Sequence, residues 1–159
     1  DLLKAVAYVE SRGNHRHGVR GPEGGFGVMR LREEEHETSP LDEAARLLGV
    51  EKQILVRDPV QNIRGGAALL RSYYDAATRA GGSESTPPWL TAITLYSGRA
   101  PDEALRYGRE IERILREGLT HTIDGGQMLY INPKQDHLIT GAPAPTPAAP
   151  VITPYAGRG

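Results

Sequence analysis

A chain of 159 residues with 38% hydrophobic content is long enough to bury one core and short for two. Its net charge of -1 and pI near 6.6 leave no broad attraction for nucleic acid or an anionic membrane, so recognition has to come from a shaped site. The absence of cysteine removes disulfides, thiolate metal sites and cysteine nucleophiles, and no apolar run approaches the roughly 18 residues that membrane insertion needs.

The first residues, DLLKAVAYVE, read as an amphipathic helix already under way, with Leu2, Leu3, Val6 and Val9 on one face; the front end looks trimmed, so a leader peptide can have been lost. The helix stops near Gly13. Residues 13–27 are rich in Gly, Pro, Asn and His and read as a loop, and the following MRLREEEHE as a short polar turn or helix. Pro40 reads as a break. Leu41 to Leu48 has helical spacing closing at Gly49, and Asp58 before Pro59 is a cap that launches a long central helix from Val60 to Ala80, carrying Ile63, Ala67, Leu70 and Tyr74. After the connector GGSESTPP, Trp89–Tyr96 forms a compact apolar helix ending at Gly98. Pro101–Leu115 forms another, with Leu105, Ile111 and Leu115 inward. Beyond Gly118, THTIDGGQMLYI alternates about Asp124–Gly126, a β-hairpin signal. From Gly141 the chain is a Pro/Ala-rich extended linker or tail. The expectation is a mainly α domain over 1–118, a hairpin extension over 119–140 and a tail over 141–159.

Five separated segments carry a resemblance. They are Glu10-Ser11-Arg12-Gly13-Asn14; Gly25-Phe26-Gly27-Val28-Met29-Arg30-Leu31; Asp58-Pro59 with Asn62, Ile63, Gly66, Ala67 and Leu70; Ala92, Leu95, Tyr96, Ser97 and Gly98; and Pro101 to Ile111 with Tyr107. In this order and at these gaps they resemble the lysozyme-like superfamily, soluble lytic transglycosylase type, over roughly residues 1 to 115. Two departures stand out: Arg30 where that family usually has Gln, and Ser97-Gly98 in place of Asn-Ala-Gly. The hairpin and proline-rich tail are similar to bacterial wall hydrolases in which such a domain precedes a zinc-dependent N-acetylmuramoyl-L-alanine amidase domain.

The resemblance implies a lysozyme-like helical fold and cleavage of peptidoglycan between N-acetylmuramic acid and N-acetylglucosamine, by a lytic transglycosylase or muramidase acting outside the cytoplasm. Glu10 takes the catalytic role, and Ser11, Gly27, Met29, Arg30, Tyr96, Ser97 and Tyr107 the substrate-contacting ones. An apolar wall from Met29, Tyr96 and Tyr107 would disfavour the charged form of Glu10 and raise its pKa. Ser11 would bond the acid or an acetamido group, the two tyrosines offer faces for sugar rings, and the backbone of Gly25–Gly27 permits close approach. No second carboxylate sits in a matching motif, although Glu23 and the run Glu33–Glu35 can reach the site from a loop. The plainer readings stand beside these: core packing for Met29, Tyr96 and Tyr107, structural hydrogen bonding for Asn62, and a solvated surface for Arg32–Glu37. His15, His17, His36, His121 and His137 lack metal-ligand spacing, so neither metal nor cofactor is expected. The rival function is a catalytically weak or inactive wall-binding module that targets an attached amidase domain; a helical interaction domain with no glycan role is the third.

Overall fold

The computed structural model describes residues 1–34, 38–81 and 86–134. The end of the charge run with His36, residues 82–85 of the GGSESTPP connector, residues 135–140 of the hairpin extension with His137, and the whole proline-rich tail lie outside the described residues.

The described chain is mainly helical. Helix α1 is Leu2–Ser11; a 3₁₀ turn at Arg16–Gly18 leads to β1 (Gly25–Phe26) and β2 (Leu31–Arg32); then come α2 (Pro40–Leu48), α3 (Lys52–Arg57), α4 (Pro59–Arg79), α5 (Pro88–Ser97), α6 (Pro101–Glu117), β3 (Leu119–Thr122) and β4 (Met128–Ile131). The two strand pairs are separate antiparallel ladders, Phe26 opposite Leu31 in one and Leu119 opposite Ile131 in the other.

Local chemistry accounts for the helix ends. The Asp58 carboxylate accepts from the N–H groups of Val60 and Gln61, and Pro59 fills the first helical position, where no donor is needed. The same device corrects the reading of Pro40 as a break. Ser39 and Asp42 cap each other's backbone N–H groups, so Pro40 begins α2 rather than interrupting the chain. Two further expectations change. Leu31 and Arg32, read as part of a polar turn or helix, pair with β1 instead, and Leu105 is 45% exposed. Helix α6 turns Ala104, Tyr107, Gly108, Ile111, Ile114 and Leu115 inward, a stripe from which position 105 is rotated away. Helix α3 has no counterpart in the sequence reading.

Helix α4 is the hub, packed against α2, α3 and α5, while α6 joins α5 to α1. Tyr74 and Trp89 rings stack 4.2 Å apart between α4 and α5. Beyond the Phe26–Leu31 pair, residues 27–29 turn through the interior with no ladder partner, so side chains from several elements have to satisfy the backbone groups here. Asn62, fully buried on α4, accepts from the Met29 N–H at 2.8 Å and donates to the Phe26 and Leu55 carbonyls at 3.0 Å each. Gly27 makes room for it: with φ at 72°, a Cβ there would lie 2.3 Å from the Asn62 amide carbon. Gly66 lets the same helix approach Met29, whose side chain would meet a Cβ at 2.7 Å. Asn62→Ala should therefore strand two buried backbone groups and a part-buried one and destabilise the fold by about 3 kcal/mol, read as a lowered midpoint in urea; a loss under about 1 kcal/mol would show that the network carries little.

Candidate active site

Glu10 occupies the last turn of α1, just before Arg12 ends the helix in a left-handed conformation with φ at 58°. Its carboxyl reaches across to α6, where the Tyr107 hydroxyl donates to Oε1 at 2.6 Å. Tyr107 is 4% exposed, and Glu10 itself is partly buried.

The protonation balance of Glu10 follows from this placement. Burial raises its pKa above the ordinary carboxyl value, and this outweighs the Tyr107 hydrogen bond and the Arg99 and Arg32 guanidinium groups, which favour the carboxylate; Glu23 adds a small push upward. Tyr107 is driven far above the usual phenol range by burial and by the neighbouring carboxyl, so its hydroxyl stays a donor. Arg99 lies over the Tyr107 ring, 5.4 Å from its centre, and pairs with Glu23 at 3.0 Å, which ties the loop before β1 to the α5–α6 turn.

Of the residues assigned to the site from sequence, Glu10, Tyr107 and Arg30 come together. Arg30 Nε donates to the Glu10 main-chain carbonyl at 3.2 Å. The others face the protein. The Ser11 hydroxyl, expected to bond the acid or an acetamido group, is buried against the carbonyls of Val28 at 2.7 Å and Ala7 at 3.0 Å. The Tyr96 hydroxyl donates to the Met29 carbonyl at 2.7 Å, and the Ser97 hydroxyl to the Thr94 carbonyl at 2.7 Å. Met29 is fully buried, and Gly27 is pressed against Asn62 rather than open to a ligand. Glu33 is occupied by Lys52 at 2.9 Å, whereas Glu23 is near enough to act on Glu10. Sequence reasoning did not single out Arg99 or Arg32. Arg32 donates to the carbonyls of Tyr96 and Ser97 at the end of α5, and only the tertiary fold brings it near Glu10.

A separate cavity of about 490 Å³ opens along the Leu3–Lys4–Ala7 stripe of α1, walled by Ile63 and by Ile123 and Leu129 of the hairpin; Glu10 does not line it. No group of three His, Asp or Glu side chains converges as a metal site among the described residues, and no helix there is long and apolar enough to cross a membrane. No protein-family model, curated protein or solved structure matches this chain.

Two measurements test the balance at Glu10. Its folded-state pKa lies above the unfolded value, so the folded chain holds the proton more tightly; this group's stabilising effect is complete below the ordinary carboxyl pKa and is lost as pH rises through the raised value. Glu10→Gln should accordingly be more stable than the parent at neutral pH, with the difference vanishing in acid; equal melting temperatures throughout would contradict the burial argument. Tyr107→Phe removes a hydrogen bond that favours the carboxylate, so NMR titration of the Glu10 carboxyl should give a higher pKa than in the parent, and an unchanged or lower value would assign the shift to another cause.

Proposed function

We propose that the chain is a lysozyme-like, soluble lytic transglycosylase-type domain that cleaves the glycan strands of peptidoglycan between N-acetylmuramic acid and N-acetylglucosamine, with Glu10 as the proton donor. The observation that carries this reading is a half-buried carboxyl, hydrogen-bonded to Tyr107 and held above its ordinary pKa by burial. A general acid benefits from both: a pKa moved upward toward the working pH, and a partner that fixes its direction.

The chemistry then runs on one carboxyl. Protonated Glu10 gives its proton to the glycosidic oxygen as the bond to the anomeric carbon breaks, leaving an oxocarbenium-like muramoyl unit. The Glu10 carboxylate next takes the proton of the muramoyl C6 hydroxyl while that oxygen bonds to the anomeric carbon, giving a 1,6-anhydro end and restoring the acid. Glu23, the other carboxylate near Glu10, has one oxygen engaged by Arg99 at 3.0 Å. An attacking hydroxyl already on the substrate offers a high effective concentration in place of water. A substrate of this kind lies outside the cytoplasm, and the proline-rich tail suits a chain that joins this domain to a further wall hydrolase, such as a zinc amidase.

Incubation with purified peptidoglycan and mass spectrometry of the products should show anhydromuramoyl ends. Hydrated reducing ends would indicate a lysozyme instead. Glu10→Gln should lower release by about 10²- to 10⁴-fold while the protein still sediments with insoluble wall material. Sedimentation without release in the parent would leave a wall-binding module that targets another hydrolase, and neither effect would remove the glycan reading altogether.

A further inference from the structure

The arginines of this chain differ in how their charge is met. Arg71, Arg99, Arg113 and Arg116 pair with carboxylates, and Arg20 and Arg32 place their N–H groups on main-chain carbonyls. Arg30 has neither arrangement complete. One N–H is spent on the Glu10 carbonyl, Nη1 is sealed in the interior with no acceptor, and no carboxylate pairs with the group among the described residues. Its guanidinium lies so close to the backbone of Gly21 that a Cβ there would sit 2.2 Å from Nη1. Burial, then the nearby Arg16, works against its charge and outweighs the Glu10 and Glu23 carboxyl groups, which favour it without pairing directly.

This position is also fixed and strained. Arg30 has φ at 48°, a left-handed conformation that a long side chain adopts at a cost. The residue before it cannot shift to relieve it, because Asn62 holds the Met29 N–H and Tyr96 holds the Met29 carbonyl. A guanidinium that is partly desolvated, held at Nε by the Glu10 carbonyl and in no direct ion pair among the described residues is organised to take an anion that arrives from outside. Nη2, with no partner among the described residues, is the donor left to meet it.

We infer that Arg30 receives a carboxylate carried by the sugar chain beside Glu10. The inference rests on the glycan reading of the site. On such a strand the carboxylate is that of the lactyl ether of N-acetylmuramic acid, which is charged only where no peptide is joined to it by an amide. The preferred substrate is thus a strand whose muramic acids are free of peptide, and the reaction that supplies it is hydrolysis of that amide.

Two tetrasaccharides of alternating N-acetylglucosamine and N-acetylmuramic acid test this, one with free lactyl carboxyls and one with the same carboxyls capped as L-alaninamide. The parent chain should cleave the free acid at least about tenfold more efficiently in kcat/KM. Arg30→Gln should bring the ratio of the two substrates to about one, with Arg30→Lys between, whatever either variant does to the absolute rate. Equal cleavage of both by the parent, or a ratio unchanged in Arg30→Gln, overturns the assignment and leaves the glycan reading standing. Calorimetry with Glu10→Gln separates the two further: if the free acid binds no more tightly than its amide, Arg30 takes no carboxylate even though a glycan is bound. If neither compound is bound or cleaved, the glycan reading fails, and this assignment with it.

Discussion

Four consecutive residues, running from the end of β1 into the turn before β2, set the geometry of this fold. The stretch Phe26–Met29 passes through the interior, and its polar backbone atoms are met by side chains: Asn62 at the Phe26 carbonyl and the Met29 N–H, Ser11 at the Val28 carbonyl, Tyr96 at the Met29 carbonyl. Those partners come from α4, α1 and α5, so one buried segment fixes three helices relative to one another. Leaving any of these groups unmet in the interior would cost more than the bond itself contributes, which gives the arrangement a single solution rather than a family of near-equivalent ones.

The setting of Glu10 follows from that solution. Ser11, its neighbour, anchors the end of α1 to the segment, and Tyr96 ties the segment to the helix that precedes α6 and Tyr107. The carboxyl is then subject to opposing influences: desolvation favours the neutral acid, while a phenol and two guanidinium groups favour the anion. Desolvation prevails. A residue at the same place in α1 but facing solvent would titrate as an ordinary glutamate.

Parts of this were legible in the sequence because their causes are local. Asp58-Pro59 starts a helix and Gly49 stops one through contacts within a turn, and the 21-residue α4 repeats its apolar pattern often enough to declare itself. Helix α3 covers six residues, too few for a period to emerge, and the two-residue strands β1 and β2 are defined by each other rather than by their own composition. Pro40 misled because a proline that starts a helix and one that ends a segment look alike until the Ser39–Asp42 cap is weighed. At the site, Glu10 and Tyr107 stand 97 positions apart and were linked only through a resemblance of motifs. The same motifs also held Ser11, Gly27, Met29, Tyr96 and Ser97, which stand near Glu10 in pattern but serve the backbone. Motif membership could not separate these two kinds of residue, since both depend on the same fold.

The β3–β4 ladder is bound tightly to the first helix. Lys4 donates to the Tyr130 carbonyl, the Asp124 N–H to the Asn14 side chain, the Tyr8 and His121 rings meet edge to face, and Ile131 is part of the buried core. The unit that folds cooperatively thus extends past the last helix to at least Ile131, and a gene fragment cut at Gly118 for transplantation into another protein would carry the helices without the brace on the one that bears the carboxyl.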